Sequence, residues 1–536
     1  MAGTSDDYDI VVIGGGINGA GIARDAATRG LKVLLLEQND FGSGTSSGSS
    51  RLIHGGLRYL EHGELSLVYE SLHERHRLMR TARHLVTKIR INIPVYKGGK
   101  RGLWLVRIGM LAYDLLSLDK PLPRHRMLNR EEFLENEPGV SDNGLRGGAQ
   151  YFDAQVTFAE RLVLENVIAA ESAGAVVKNY SPVTGIQIKH GEVGCVHYTD
   201  VASGRDSEAC TRVVINAAGP WVDRVLEMAN TRMPQLMGGT KGSHIVVGAF
   251  DGAPTDAFYV EAFIDARPFF IIPWNGQYLI GTTDIRYTGD PGDASASGDE
   301  IEYLLCETNR VFPRAGLGPG DIHFAYAGVR PLPRQRKGPE SAITRRHIIK
   351  RHKNARGLLS VIGGKLTTYR NLAEQVTDKA IGLLNRGQAT CHTRETLLPG
   401  ASGLAAAEAR LRDFDSLSAQ GRERLLAVYG GRARNILDLA HERSELAGTV
   451  DTDRSVSAAE VVFVIRHEFA RQLVDIIHRR TMTGLSPDLG ASAAEGIAAV
   501  AAAELGWDAA ETGRQLQALR DCNARLEVHP HRVSSP

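Results

Sequence analysis

Apolar and polar positions along the chain repeat with two periods, one of strands and one of helices. Residues 8–14, YDIVVIG, are a short β-branched apolar run closing on glycine, the pattern of a buried parallel strand. Over 17–29 the spacing becomes helical, with Ile17, Ala20, Ala23 and Ala27 on one side and Gly30 as the stop. A second apolar run, 33–36, ends at Glu37. Strand, glycine turn, helix and strand in about 30 residues predict a βαβ unit. Helical spacing returns over 158–173 and leads into an extended run at 175–180. The runs 183–188, 193–198 and 211–215, split by the turn-rich KHGE and ASGRD, predict an antiparallel meander. Asn275-Gly276 between 269–274 and 277–282 is a two-residue hairpin signal. Beyond Pro399 the texture is Ala, Arg, Leu and Glu at helical spacing, to about residue 520.

These patterns define an α/β fold class: a Rossmann-like dinucleotide-binding domain, an antiparallel β-rich substrate domain and an all-helical C-terminal domain. The expected boundaries are 1–395, with the substrate part interleaved at 60–150 and 235–330, and 396–536 for the helices. A chain of 536 residues exceeds what one hydrophobic core serves. Its 63 basic and 62 acidic residues exclude a nucleic-acid signature, so any charge attraction must come from a local patch. The five scattered cysteines speak against a disulfide framework or a zinc site and fit a reducing, cytoplasmic setting. The acidic start, MAGTSDDYD, is unlike a secretory signal. No apolar run reaches the roughly 18 residues of a membrane span, which leaves surface contact with a membrane open. No motif demands a metal.

The first chemical motif is Gly14-Gly15-Gly16-Ile17-Asn18-Gly19 at the strand-to-helix junction. Gly14 permits the tight turn, Gly16 lets backbone approach a pyrophosphate, and Gly19 lets helix and strand pack. Alone the pattern is weak. Here it follows a strand, opens a helix and is answered by Glu37, whose carboxylate suits ribose hydroxyls and repels a 2′-phosphate. Residues 42–62, GSGTSSGSSRLIHGGLRYLEH, would as a linker be Gly/Ser-rich and featureless. They run instead directly into Leu52 and His54-Gly55-Gly56, as a loop lining an extended phosphate-bearing ligand would. That argues for FAD rather than NAD, with Thr45, Ser46, Ser47, Arg51, Leu52, His54, Gly55 and Gly56 beside it. The run 213–219 ends in small residues, and Ala218 and Gly219 there let backbone lie against a cofactor.

With these motifs the chain resembles the amine-oxidase and glycerol-phosphate-dehydrogenase branch of FAD enzymes, at GGGINGAGIA, NAAGPWVD and IGGKLTTYR. Within it, SSRLIHGGLRYLEH, KGSHIVV, IGTTD, GVRPL and GGKLTTYR are similar to FAD-dependent glycerol-3-phosphate dehydrogenases, and so is the C-terminal IRHEFARQLVDIIHRRT. The likeness runs from about residue 8 to about residue 520, and Arg51 stands where relatives are expected to carry lysine. It implies further cofactor contacts at Gly328, Gly364, Lys365, Leu366 and Thr367. The implied substrate is glycerol 3-phosphate, whose phosphate of about −1.5 to −2 charge needs fixed cations when buried. Arg58, Arg330 and Lys365 are the candidates, with Tyr59 as a further donor. A lone arginine is more often a solvated surface charge; it is their place inside motifs that singles these out. His244 is the expected proton acceptor, or a group that only orients substrate, and His54 positions the cofactor. Thr282, Thr283 and Asp284 read either as part of that site or as a hairpin cap.

The resemblance also implies a quinone acceptor, peripheral attachment at the inner face of the cell membrane, and leaves a homo-oligomer open. Residues 97–117, KGGKRGLWLVRIGMLAYDLLS, are the candidate membrane contact: Lys97, Lys100 and Arg101 precede a helix with Trp104, Ile108, Leu111 and Leu115 on one broad face. Such a pattern more commonly marks a helix packed in a core. Three other readings remain. One is an oxidase passing electrons to oxygen. Another is an amino-acid or 2-hydroxy-acid oxidase, whose single arginine clamps a carboxylate. The third is a flavoprotein that catalyses nothing.

Overall fold

The computed structural model describes residues 6–61, 63–117, 122–335, 345–387 and 389–528. The βαβ unit forms where the pattern puts it, as strand Asp6–Ile13, helix Ile17–Thr28 and strand Val33–Leu36. Ile10, Val11 and Val12 are sealed on both faces, as a run apolar at successive positions requires. Among the described residues this unit lies in an eight-stranded sheet whose main path is Ile348–Arg351, Leu358–Ile362, Arg205–Asn216, Asp6–Ile13, Val33–Leu36 and Val176–Lys178. Helices Ile17–Thr28, Ala159–Ser172 and Tyr369–Leu384 pack together beside it.

The meander is present as Val183–Lys189, Glu192–Asp200 and Arg205–Asn216. Its third strand does more than expected. It runs antiparallel to Glu192–Asp200 over its first half and parallel to Asp6–Ile13 over most of its length. One strand therefore closes the meander and also delivers Ala217–Gly219 to the cofactor side. The same register sets Cys195 opposite Cys210 with Cα atoms 4.0 Å apart, and the two form a disulfide. The expectation that the cysteines stay apart fails for this pair, and with it the argument from cysteines for a reducing setting. Scattered spacing hides a pairing that strand register creates.

Ten strands form the second sheet among the described residues, running from Ile285–Arg286 through Thr240–Val247 and the 257–281 strands to Val86–Tyr96, Leu145–Val156 and Leu52–Ile53. Strand Ile322–Arg330 also pairs with Thr240–Val247. Asn275 and Gly276 join Pro268–Trp274 to Gln277–Gly281 with φ of 51° and 72°, the left-handed pair a two-residue hairpin needs.

From Leu404 to Ala524 the ordered elements are helical. Buried ion pairs tie them to the rest. Arg161 reaches Glu468 through two hydrogen bonds of 2.5 and 2.9 Å, and Arg480 reaches Asp40 through two of 2.7 and 2.8 Å. All four side chains are cut off from water, where a charge is tolerated only when paired. Burial alone would raise the Glu468 carboxyl, but Arg161 and Arg432 outweigh it and hold it down at about 2.

Candidate active site

A groove of ≈ 540 Å³ runs along the ends of the parallel strands. It starts at Glu37–Asn39, passes the glycine turn and the serine-rich loop, and continues by Ala217–Trp221 and Gly328 to Gly364–Leu366. A Cβ on Gly14 would lie 2.8 Å from Ala217 O, and one on Gly19 would lie 1.8 Å from Gly14 O. Only glycine lets these three segments meet. Glu37 accepts the Gly15 and Asn39 amides at 2.6 and 2.9 Å, and burial raises its carboxyl above the ordinary value. In the loop, Ser46 Oγ accepts Ile17 N–H at 3.0 Å and Thr45 Oγ donates to Val329 O at 2.7 Å. The serines are therefore structural pegs of an ordered wall.

The groove suits a dinucleotide. It is elongated, and helix Ile17–Thr28 opens into it without a side-chain cap. Asn18, on its wall, keeps a buried Oδ1 with no hydrogen-bond partner. Of the residues singled out for the cofactor, Gly14, Gly16, Asn18, Glu37, Thr45, Ser46, Ser47, Arg51, Ala218, Gly219, Gly328, Gly364, Lys365 and Leu366 line it. Gly19, Leu52, His54, Gly55, Gly56 and Thr367 are not among its lining residues. Leu52 packs in the apolar core. Thr367 Oγ accepts the His54 amide at 3.2 Å. Arg51, where relatives were expected to carry lysine, gives two 2.7 Å hydrogen bonds to Glu160, a partner sequence motifs do not reveal.

Past one end of this groove lies a cluster of cations around a histidine. His244, 2% exposed on strand Thr240–Val247, stacks on Tyr326 with ring centroids 4.9 Å apart. Its Nε2 is 2.8 Å from Ser50 Oγ, and its Nδ1 is buried with no partner. Burial above all, then the charges of Arg330 and Arg51, lower its pKa to about 3, so the ring is neutral. His54 is likewise neutral, lowered to about 4 by burial.

Arg330 ends strand Ile322–Arg330 and is held by Asp284 Oδ1 at 3.0 Å, Thr282 Oγ at 3.0 Å and Thr283 O at 3.1 Å. Thr282, Thr283 and Asp284 thus fix a guanidinium as well as ending a hairpin. Asp284 Oδ2 also takes Arg345 at 3.1 Å. Arg345 and Ser50 are additions to the sequence-derived set; Ser50 sits inside the quoted SSRLIHGGLRYLEH motif, whereas Arg345 lies in no motif. Burial lowers the Lys365 ammonium to about 7 against the opposing charges of Glu70 and Glu64, with the smaller effect of Arg345 in the same direction as burial. Lys365 Nζ sits 3.7 Å above the Tyr59 ring and 3.2 Å from Ser71 Oγ. The Arg58 side chain lies outside the described residues. Arg330 thus lies near His244, and Lys365, over Tyr59, senses Arg345, which shares Asp284 with Arg330.

A parallel sheet with a glycine turn, a dinucleotide-sized groove and a neutral histidine among cations define a dinucleotide-dependent oxidoreductase. Residues 9–370 match the family described as FAD dependent oxidoreductase, and 391–512 the C-terminal domain of alpha-glycerophosphate oxidase. The chain is 46% identical over 525 residues to glycerol-3-phosphate dehydrogenase of Synechocystis sp., covering 95% of each. It is 36% identical to D-erythritol 1-phosphate dehydrogenase of Brucella abortus, covering 88% of this chain and 94% of that one. Glycerol-3-phosphate dehydrogenase from Bacillus halodurans, solved with FAD, superposes with a TM-score of 0.80 at 28% identity, covering 98% and 96%. The chain belongs to the FAD dependent oxidoreductases.

Proposed function

We propose that the protein oxidises sn-glycerol 3-phosphate to dihydroxyacetone phosphate and passes the electrons to a membrane quinone. The observation that carries the substrate is the cluster itself, with Arg330 and Arg345 on one carboxylate and Lys365 close enough to feel Arg345. Arg330 and Arg345 share the single carboxylate of Asp284, and with Lys365, which also senses Glu70 and Glu64, they offer donors enough for the three outer oxygens of a phosphate. Tyr59, beneath Lys365, completes this phosphate end. The glycine turn, Glu37 and the serine-rich loop would hold FAD along the groove, where it would supply the two-electron acceptor. His244 orients the hydroxyl at Nδ1 or takes its proton there, while Ser50 holds Nε2. A pKa of about 3 makes the neutral ring a weak proton acceptor, which favours the orienting role in the free protein. The carbinol C–H bond breaks with its electron pair, the O–H bond gives up its proton, and a ketone leaves. We take 1–395 as the unit carrying this chemistry and 396–536 as the helical unit that braces it.

The acceptor and the membrane rest on the 97–117 segment. On helix Leu103–Leu115, Trp104, Ile108, Leu111 and Leu115 are 70%, 54%, 54% and 67% exposed. This apolar face looks outward, unlike that of a core helix. Lys97, Lys100 and Arg107 are exposed beside it, matching anionic headgroups. Under the helix lies a second cavity of ≈ 400 Å³, lined by Leu57, Leu60, Val106, Ile108 and Tyr259 among others. It adjoins the turn that carries Arg58 and Tyr59, a suitable place for an apolar acceptor; oxygen as acceptor gives that face no use. No helix among the described residues is long and apolar enough to cross a membrane, so attachment would be peripheral.

Anaerobic addition of sn-glycerol 3-phosphate to the yellow protein is the test. Bleaching of the flavin absorbance with one dihydroxyacetone phosphate formed per FAD is expected. An unchanged spectrum at saturating substrate rejects the reading, including in favour of a flavoprotein without catalysis.

A further inference from the structure

The outer wall of the molecule reaches the substrate loop through one hydroxyl. Tyr113 lies on the buried side of helix Leu103–Leu115 and is 2% exposed. Its hydroxyl accepts the Gly55 amide at 3.1 Å and donates to Asp153 Oδ2 at 2.7 Å. Asp153 is itself held by Arg75, at 2.7 Å from helix Leu65–Thr81. A Cβ on Gly55 would lie 2.4 Å from the Tyr113 hydroxyl oxygen and 2.5 Å from Leu72, so the loop is seated directly on this wall. His54 precedes Gly55, and Tyr59 follows four residues later. Neither Tyr113, Asp153 nor Arg75 lines the cofactor groove.

We propose that Tyr113 is a positioning residue of the active site, fixing the 54–59 loop through the Gly55 amide and so setting Tyr59 against Lys365. This rests on the reading of Tyr59 and Lys365 as the phosphate end. Without the hydroxyl, Gly55 N–H keeps only Asp153 Oδ1, at 3.3 Å, and Asp153 loses one of its donors. The loop then settles toward Asp153, and Tyr59 moves with it. The Lys365 ammonium has the Tyr59 ring and Ser71 at fixed distances, so a shift of the loop alters the cavity offered to phosphate. The same loop shift changes how the buried His54 senses Asp153, whose charge opposes the effect of burial on that ring.

Tyr113→Phe keeps the ring and removes only the hydroxyl. In the FAD-loaded protein, titration calorimetry is expected to give a Kd about tenfold weaker for sn-glycerol 3-phosphate and for inorganic phosphate. With a soluble dye as acceptor, KM rises in parallel, kcat changes less than KM, and FAD content stays at the wild-type level. A purely structural tyrosine would lower the melting temperature and leave Kd and KM within twofold of wild type, and that result overturns the proposal. If Tyr113→Phe fails to retain FAD, Asp153→Glu decides by the same criterion, since it keeps both acceptor oxygens and the charge opposite Arg75 and moves only the anchor of the Tyr113 hydroxyl. Wild type that binds both ligands without turnover would reject the proposed reaction while the phosphate Kd still tests Tyr113. Wild type that binds neither would end both.

Discussion

At the scale of single residues the site works by holding charges in fixed places. Arg330 has its guanidinium tied to Thr282, Thr283 and Asp284, so its fork is set before substrate arrives. Losing one partner of a buried charge pair costs about 2–5 kcal/mol, so Arg330→Ala should lower kcat/KM for glycerol 3-phosphate by roughly 30-fold to several thousandfold. Arg330→Lys should recover part of this, because an ammonium keeps the charge and loses the planar fork. Glycerol is the control: it has the alcohol and no phosphate, and the mutation should barely alter its slow oxidation. Equal loss for both substrates would place Arg330 at the reacting carbon instead. Lys365 makes a separate prediction in pH. Burial brings its ammonium to about 7, so it is charged below that pH and neutral above it. A bound phosphate favours the charged form, so binding above about pH 7 must take up a proton, and KM should climb as pH rises to about 9. Lys365→Arg, which does not titrate there, should flatten that climb. A flat wild-type profile would remove Lys365 from the phosphate end.

Elements give that chemistry its setting. Helix Leu103–Leu115 has a face that periodicity alone assigns more readily to a core, and the fold turns it outward. If it lies in a membrane interface, wild type should pellet with vesicles of anionic lipid, less so as salt rises. Trp104→Glu, Leu111→Glu should stay in the supernatant. Equal pelleting of both proteins would free this helix from the role. The meander strand Arg205–Asn216 teaches the same lesson. Its apolar half at 211–215 was legible, but its first half begins inside the segment read as the turn ASGRD, and its two sets of neighbours, with the Cys195–Cys210 pairing they create, depend on register.

For the whole molecule, attachment of the helical C-terminal unit depends on charges shut away from water. Removing the Glu468 charge would leave Arg161 with only Glu165, 4.0 Å away, as an anion, and breaking a buried pair typically costs up to about 3–5 kcal/mol. Glu468→Gln should therefore lower the urea midpoint strongly, and a shift indistinguishable from zero would show that water compensates Arg161. Several buried histidines add a pH dependence. Burial lowers His54, His84 and His478 to about 4 and His244 to about 3. Below the ordinary histidine value of about 6.5 the unfolded chain takes up protons that the folded chain refuses. Stability should fall as pH drops from about 6.5 toward about 4, on top of any carboxylate effect. Melting temperatures of the FAD-loaded protein at about pH 7.5 and about pH 5 test this, and equal values contradict it.

The sequence by itself determined the βαβ unit, the Asn275-Gly276 hairpin, the change to helices after Pro399 and the glycine turn with Glu37. Each of these depends on neighbours within about 30 residues, where apolar period, glycine and turn chemistry act directly. Motifs also named Tyr59, His244, Arg330 and Lys365. Only the tertiary structure decided what these residues touch. Asp284 shared by Arg330 and Arg345, Ser50 on His244, Glu160 on Arg51 and Tyr113 under Gly55 are contacts across strands, helices and loops distant in sequence. A single sequence records which residues can hydrogen-bond or carry charge. Packing the sheets against the helices selects the partner of each, because a buried charge or amide must find one wherever the chain happens to pass.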